Sequence, residues 1–150
     1  MNSTYIDAVY DGPIERSVRQ NLTIVSPLES VYHVVAKMIQ DNIGAAVVIE
    51  EQRIVGILTE KDVLERVLLP EKNVHHTLVK DVMTTSPIAV EADRPINEVL
   101  KTMRKHQIRR LIVTKKRALF GIVTERRLLE LVNHRITDLS EHLLGQQEPR

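Results

Sequence analysis

Apolar positions along this chain change period in a fixed succession. Beyond Ser30, the residues Val31, Val34, Val35, Met38 and Ile39 stand at the i, i+3, i+4, i+7, i+8 spacing of a helix with one buried face. Ahead of them, Leu22 to Val25 is short and rich in β-branched residues, which predicts a strand. After them, Ala45 to Ile49 and Ile54 to Leu58 are apolar over strand length and flank Glu51-Gln52-Arg53, which predicts a hairpin whose first strand is buried on both faces. Thr59 then occupies an N-cap position, and Val63, Leu64, Val67 and Leu68 supply the apolar face of a second helix. The succession is β-α-β-β-α.

The same succession occurs again 65 positions later. That shift puts Val25 on Val90, Val34 on Val99, Met38 on Met103, Ile43 on Ile108 and Val48 on Val113 without a gap. It also lays Gly56-Ile57-Leu58-Thr59-Glu60 on Gly121-Ile122-Val123-Thr124-Glu125. The second copy therefore reads as a strand at Pro87 to Val90 and a helix carrying Ile96, Val99, Leu100 and Met103, with Pro95 in its first turn. Strands at Leu111 to Thr114 and Leu119 to Val123 follow, joined through Lys115-Lys116-Arg117, and Thr124 caps a closing helix with Leu128, Leu129 and Val132. The expected architecture is a mixed α/β (α+β) chain of two β-α-β-β-α motifs forming a single module. The first motif spans about 14–69, a linker about 70–77 and the second motif about 78–135. A C-terminal extension covers 136–150, with its last residues, Gly145 to Arg150, frayed.

A chain of 150 residues is long enough for a real core, and its aromatic residues are only Phe120, Tyr5, Tyr10 and Tyr32, so aliphatic side chains must fill it. The absence of cysteine excludes disulfides, thiolate metal sites and cysteine nucleophiles. The start MNSTYIDAVYDG lacks the basic-then-apolar order of a leader, and the longest apolar run, Ile43 to Ile49, is far short of the ~20 residues that span a bilayer; a cytoplasmic protein with no membrane partner is expected. Net charge is +1, but it is unevenly placed. Residues 101–127 hold ten Lys or Arg against the single acid Glu125, whereas the matching residues 36–62 hold three basic and five acidic side chains. Such a run invites phosphate neutralisation, yet it has no interleaved aromatics for base stacking, so a nucleic-acid partner is not expected. The histidines show no metal-ligand spacing, and no glycine-rich phosphate loop or hydrolase elbow is present, so no enzymatic activity is expected.

Candidate chemistry concentrates where the second hairpin strand meets the closing helix, at Gly56-Ile57-Leu58-Thr59-Glu60-Lys61-Asp62. A glycine there lets a ligand approach the backbone, and the helix start offers free amides and a partial positive charge. The Thr59 hydroxyl caps the helix or reaches a phosphate, and Asp62 accepts hydrogen bonds from a ribose diol. With this junction the chain resembles a tandem pair of CBS domains, the regulatory module of the cystathionine-β-synthase type. The family signature of glycine, two apolar residues, Ser or Thr, two variable positions and Asp is met at every position of GILTEKD. The segments VMTTSPIAV and IRRLIV extend the likeness over roughly residues 14–135.

The resemblance implies a disc-shaped pair with pseudo-two-fold symmetry, its sheets packed between helices, that binds AMP, ADP, ATP or S-adenosylmethionine in clefts between the copies and requires no cofactor. A homodimer signalling to a target protein that the sequence does not name is implied as well. Carried over position by position, Thr59 and Asp62 hold the phosphate side and ribose of a nucleotide. Arg109 and Arg110 face phosphates, and Arg126 reaches a neighbouring site. The strand containing Thr23 supplies the adenine pocket, and Ala46 and Thr124 complete the ligand-binding set. The second copy departs from the signature, because GIVTERR places Arg127 where the ribose aspartate belongs, and arginine has five donors and no acceptor. One competent site and one impaired or altered site are expected. The alternative reading is a constitutive interaction scaffold with degenerate ligand sites.

Overall fold

The computed structural model describes residues 10–145, so the expected fraying of the last residues lies almost entirely outside the described ones. The elements follow the hydropathy pattern closely. In the first copy they are β1 (Thr23–Val25), α1 (Val31–Asp41), β2 (Ala45–Glu50), β3 (Arg53–Thr59) and α2 (Glu60–Val63). In the second they are β5 (Ala89–Glu91), α3 (Ile96–His106), β6 (Arg110–Lys115), β7 (Ala118–Thr124) and α4 (Glu125–Gly145). Between the copies lies a two-residue strand, β4 (Thr84–Thr85). The molecule is thus of mixed α and β composition with two sheets, ordered β1-β2-β3-β4 and β5-β6-β7.

Local chemistry sets these boundaries. The Ser30 hydroxyl accepts from the His33 amide at the start of α1, and Asn42 and Gln107 end α1 and α3 in the left-handed conformation. Pro95 stands at the N-cap of α3 rather than within its first turn. Both hairpins turn through two left-handed residues, Glu51-Gln52 and Lys116-Arg117, the turn that matches strand twist, although neither pair contains glycine or asparagine. One expectation is revised. The helix after α2 continues through Leu64–Leu68 in π geometry, with the Leu69 amide on the Leu64 carbonyl, and of the expected apolar face Val67 is buried while Leu64 and Leu68 are exposed. The closing helix α4 runs 21 residues and continues into the C-terminal extension.

The described residues divide into two compact units, one of residues 21–88 and the other of residues 10–20 with 89–145. In the first, β1 runs parallel to β2, β2 and β3 form the hairpin, and β4 adds antiparallel to β3 with Ile57 opposite Thr84. Val25, Val34, Met38, Leu58 and Val67 pack there with Val79 and Val82 from the connector. In the second unit, β5 runs parallel to β6 and β6 pairs with β7. Ile14, Ile96, Met103, Leu111 and Leu128 are fully buried in it.

Each unit therefore joins the body of one copy to the lead-in of the other, and the repeat persists at the level of single hydrogen bonds. The Val79 amide donates to the Glu29 carbonyl at 2.9 Å, and the Ile14 amide donates to the Arg94 carbonyl at 3.0 Å. Val31 N–H reaches the Thr77 carbonyl at 2.9 Å, as Ile96 N–H reaches that of Gly12 at 3.0 Å. Arg19 exchanges two backbone bonds with Ile122 at the place that Thr84 holds against Ile57.

Candidate functional site

In the unit of residues 21–88, four of the expected site residues lie at one end of the sheet. Thr23 on β1 is in register with Ala46 on β2, and Ala46 is opposite Leu58, next to Thr59 at the end of β3. Thr23 is buried, and its hydroxyl donates to Asp41 Oδ2 at 2.6 Å, which ties the strand to the end of α1. Ala46 is fully buried, and a larger side chain there would meet the core.

Thr59 and Asp62 form a reciprocal cap. The Thr59 hydroxyl accepts from the Asp62 amide at 3.3 Å, while Asp62 Oδ2 accepts from both the Thr59 amide and the Thr59 hydroxyl at 2.8 Å. Asp62 Oδ1 accepts from the Thr84 hydroxyl at 3.2 Å and lies 3.4 Å from Arg66 Nη2. Asp62 is 7% exposed and one of the few buried polar residues among the described ones. A buried carboxylate at a helix start is stabilised by the donors around it, and the same atoms are suited to hydroxyl donors of a ligand.

Arg66 and Thr84 were not among the residues expected at this site. Arg66 stands four positions after Asp62, a spacing at which helical side chains meet, so its sequence signal existed. Thr84 lies 22 positions away, across a linker, and periodicity carries no trace of that contact. The motif glycine also serves a different neighbour from the one expected. A Cβ on Gly56 would fall 2.5 Å from Met83 Sδ and 3.0 Å from the Thr84 carbonyl oxygen, so the close approach it permits is to the chain's own connector.

The other unit carries the cationic residues. The Glu125 amide donates to the Arg109 carbonyl at 3.0 Å, and Arg110 is opposite Thr124, which places Arg109, Arg110 and Thr124 where β6 begins and β7 ends into α4. Thr124 caps α4 by accepting from the Arg127 amide at 3.2 Å, but the reciprocal carboxylate is missing because residue 127 is arginine. Arg109 and Arg126 are each 89% exposed at the side chain. Arg109 lies 4.0 Å from Glu125, Arg126 lies 2.9 Å from Glu130, and Arg127 lies 3.6 Å from Glu130. The Arg126 hydrogen bond, joined by the charges of Arg126 and Arg127, holds the Glu130 carboxyl below its ordinary pKa. By the repeat, Arg109, Arg110 and Arg127 replace Gly44, Ala45 and Asp62, so an acceptor-bearing junction in one copy becomes a donor-bearing one in the other. Among the described residues, no helix is long and apolar enough to cross a membrane.

The model of the CBS-domain family matches residues 14–69 and 79–134. YlbB of Bacillus subtilis is 37% identical over 129 residues, covering 81% of this chain and 86% of its own length. An uncharacterized protein of Methanopyrus kandleri is 33% identical over 132 residues, covering 87% and 67%. Among solved structures, an uncharacterized conserved protein from Pyrococcus horikoshii superposes with a TM-score of 0.76 at 30% identity, covering 81% of this chain and 92% of that one.

Proposed function

Because the chain belongs to the CBS-domain family and carries the motif twice, we propose that it is a non-catalytic regulatory protein that senses an adenosyl ligand, AMP, ADP, ATP or S-adenosylmethionine, through its first copy. A second copy of this chain and a target protein that reads the ligand state are the partners this reading calls for. Asp62 accepts the ribose hydroxyls, Thr59 borders the phosphate side, and Thr23 and Ala46 line the base pocket. Arg109, Arg110 and Arg126 are cations for phosphate groups, with Thr124 beside them. The observation that carries the reading is the buried Asp62 carboxylate at a helix start, reached by hydroxyl and guanidinium donors, in the copy with the full signature and in that copy alone. A ligand transmits a signal only by favouring one arrangement of the protein over another.

Calorimetric titration with the four adenosyl compounds tests it. The expected result is one site per chain, weakened at least tenfold in Asp62→Asn, since a hydrogen bond to a charged acceptor is worth about 1.5–3 kcal/mol. Two equal sites per chain, or undiminished binding by Asp62→Asn, refutes the assignment. No heat and no thermal shift with any of the four compounds leaves the duplicated fold with a scaffold role instead.

A further inference from the structure

Asp62 meets any ligand with its acceptors already engaged. A carboxylate offers about four lone-pair directions. Oδ2 spends its capacity on the Thr59 amide and hydroxyl, both at 2.8 Å, within the local cap. Oδ1 is held less tightly, by the Thr84 hydroxyl at 3.2 Å and by Arg66 Nη2 at 3.4 Å. A vicinal diol brings two O–H donors, and the oxygen that can exchange partners without dissolving the helix cap is Oδ1.

Both of its present partners belong to, or grip, the connector that leads into β5. Thr84 is a residue of β4, and Arg66 Nη1 donates to the Val82 carbonyl at 2.9 Å while Nη2 faces the carboxylate. The second copy has no counterpart of this arrangement, since Arg127, Leu131 and Arg19 stand where Asp62, Arg66 and Thr84 stand in the first.

We propose that Asp62 Oδ1 is an exchange point at which the diol of a bound nucleotide takes the place of the Thr84 hydroxyl, so that occupation of the first copy loosens the connector running into the second. The inference rests on the nucleotide reading above and adds two residues to it. Thr84 is a competitor of the ligand for the carboxylate, and Arg66 is a positioning residue that spans carboxylate and connector. A competitor has a signature that a merely structural threonine lacks, because its removal tightens binding.

The test is Thr84→Val, which deletes the hydroxyl and keeps the β-branched shape suited to a strand. AMP and ATP are titrated into wild type and variant, each beside its 2′-deoxy form. Hydrogen exchange is followed over residues 82–88 with and without AMP. In the variant the affinity for AMP and ATP rises roughly threefold to tenfold, the yield of about one hydrogen bond, while affinity for the deoxy forms, which keep one of the two hydroxyls, rises less. In wild type AMP speeds exchange in the connector, and in the variant the connector exchanges fast without AMP. Unchanged or weaker ribonucleotide binding by Thr84→Val, or a connector whose exchange AMP slows or leaves alone, overturns the exchange point while leaving the nucleotide reading in place. Wild type that binds neither AMP nor ATP overturns both.

Discussion

A Cβ placed on Gly121 would come within 2.4 Å of both the Arg19 carbonyl oxygen and Val18 Cγ1. Backbone cannot step aside cheaply, so Gly121→Ala forces the lead-in off β7 and breaks the two hydrogen bonds between Arg19 and Ile122. At the equivalent Gly56 the nearest atom, Met83 Sδ at 2.5 Å, belongs to a flexible side chain, and the nearest backbone atom, the Thr84 carbonyl oxygen, stands off at 3.0 Å. The expected loss of stability is therefore about 2–3 kcal/mol for Gly121→Ala and roughly 1 kcal/mol for Gly56→Ala, measured as the shift of the urea midpoint at constant slope. Equal losses would mean that the two lead-ins are held alike. Both glycines stood out in the sequence as members of a repeated motif, and Thr59 and Asp62 stood out with them. What each glycine makes room for did not, because a motif records which residue types recur and not which segment lies on them. The environment of Asp62 was legible by half: its cap to Thr59 follows from the i, i+3 spacing, whereas Thr84 arrives from a remote strand.

Elements are anchored by side chains that join a helix start to the segment beside it, and Glu29 is the clearest case. Burial raises its pKa, but the Lys37 hydrogen bond, the Ser26 amide and the charges of Lys37 and His33 outweigh burial and hold the carboxyl below its ordinary value of 4.5. Its own carbonyl receives the Val79 amide, so the residue fastens both α1 and the connector. A group whose folded pKa is depressed stabilises the fold fully above its unfolded pKa and loses that contribution as pH falls through the folded one. Wild type is accordingly expected to lose stability below about pH 4.5 more steeply than Glu29→Gln, while above that pH the variant is the less stable of the two. Denaturant titrations at pH 3 and pH 7, read as the difference between the two proteins, check the sign, and a pH-independent difference would remove Glu29 from this role. At this scale the sequence was informative: strand bounds and helix starts shift by a residue or two, since buried apolar periodicity decides them, whereas the closing helix runs on to Gly145. It misplaced part of the helix faces: Leu64 and Leu68 after Thr59 are exposed, and so are Ile39 on α1 and Leu129, the counterpart of Leu64, on α4, so apolar spacing alone overcounts the buried positions.

Over the whole molecule, the repeat along the chain and the unit that packs are different stretches. A shift of 65 maps Ile14 onto Val79 and Arg94 onto Glu29, and that mapping holds equally well whether each lead-in packs on its own copy or on the other one. Periodicity could not distinguish the two arrangements, and only the contacts do. Val79 and Val82 are buried among Val31, Val34 and Val67, and β4 covers the β3 edge at Gly56 and Ile57. A fragment of residues 14–69 would lack all of this and would expose Ile14, whose burial depends on residues beyond 88. A fragment of residues 21–88 keeps a closed core, although a chain of that size is only marginally stable. The shorter repeat is thus expected to show collapsed amide dispersion and no cooperative melting, and the 21–88 fragment to show dispersed amides and a cooperative if low transition. Were residues 14–69 to fold as well as 21–88, the crossed lead-ins would be dispensable. The reverse outcome makes the connector a structural part of the first copy, which is the condition under which an event at Asp62 can be felt at residue 89.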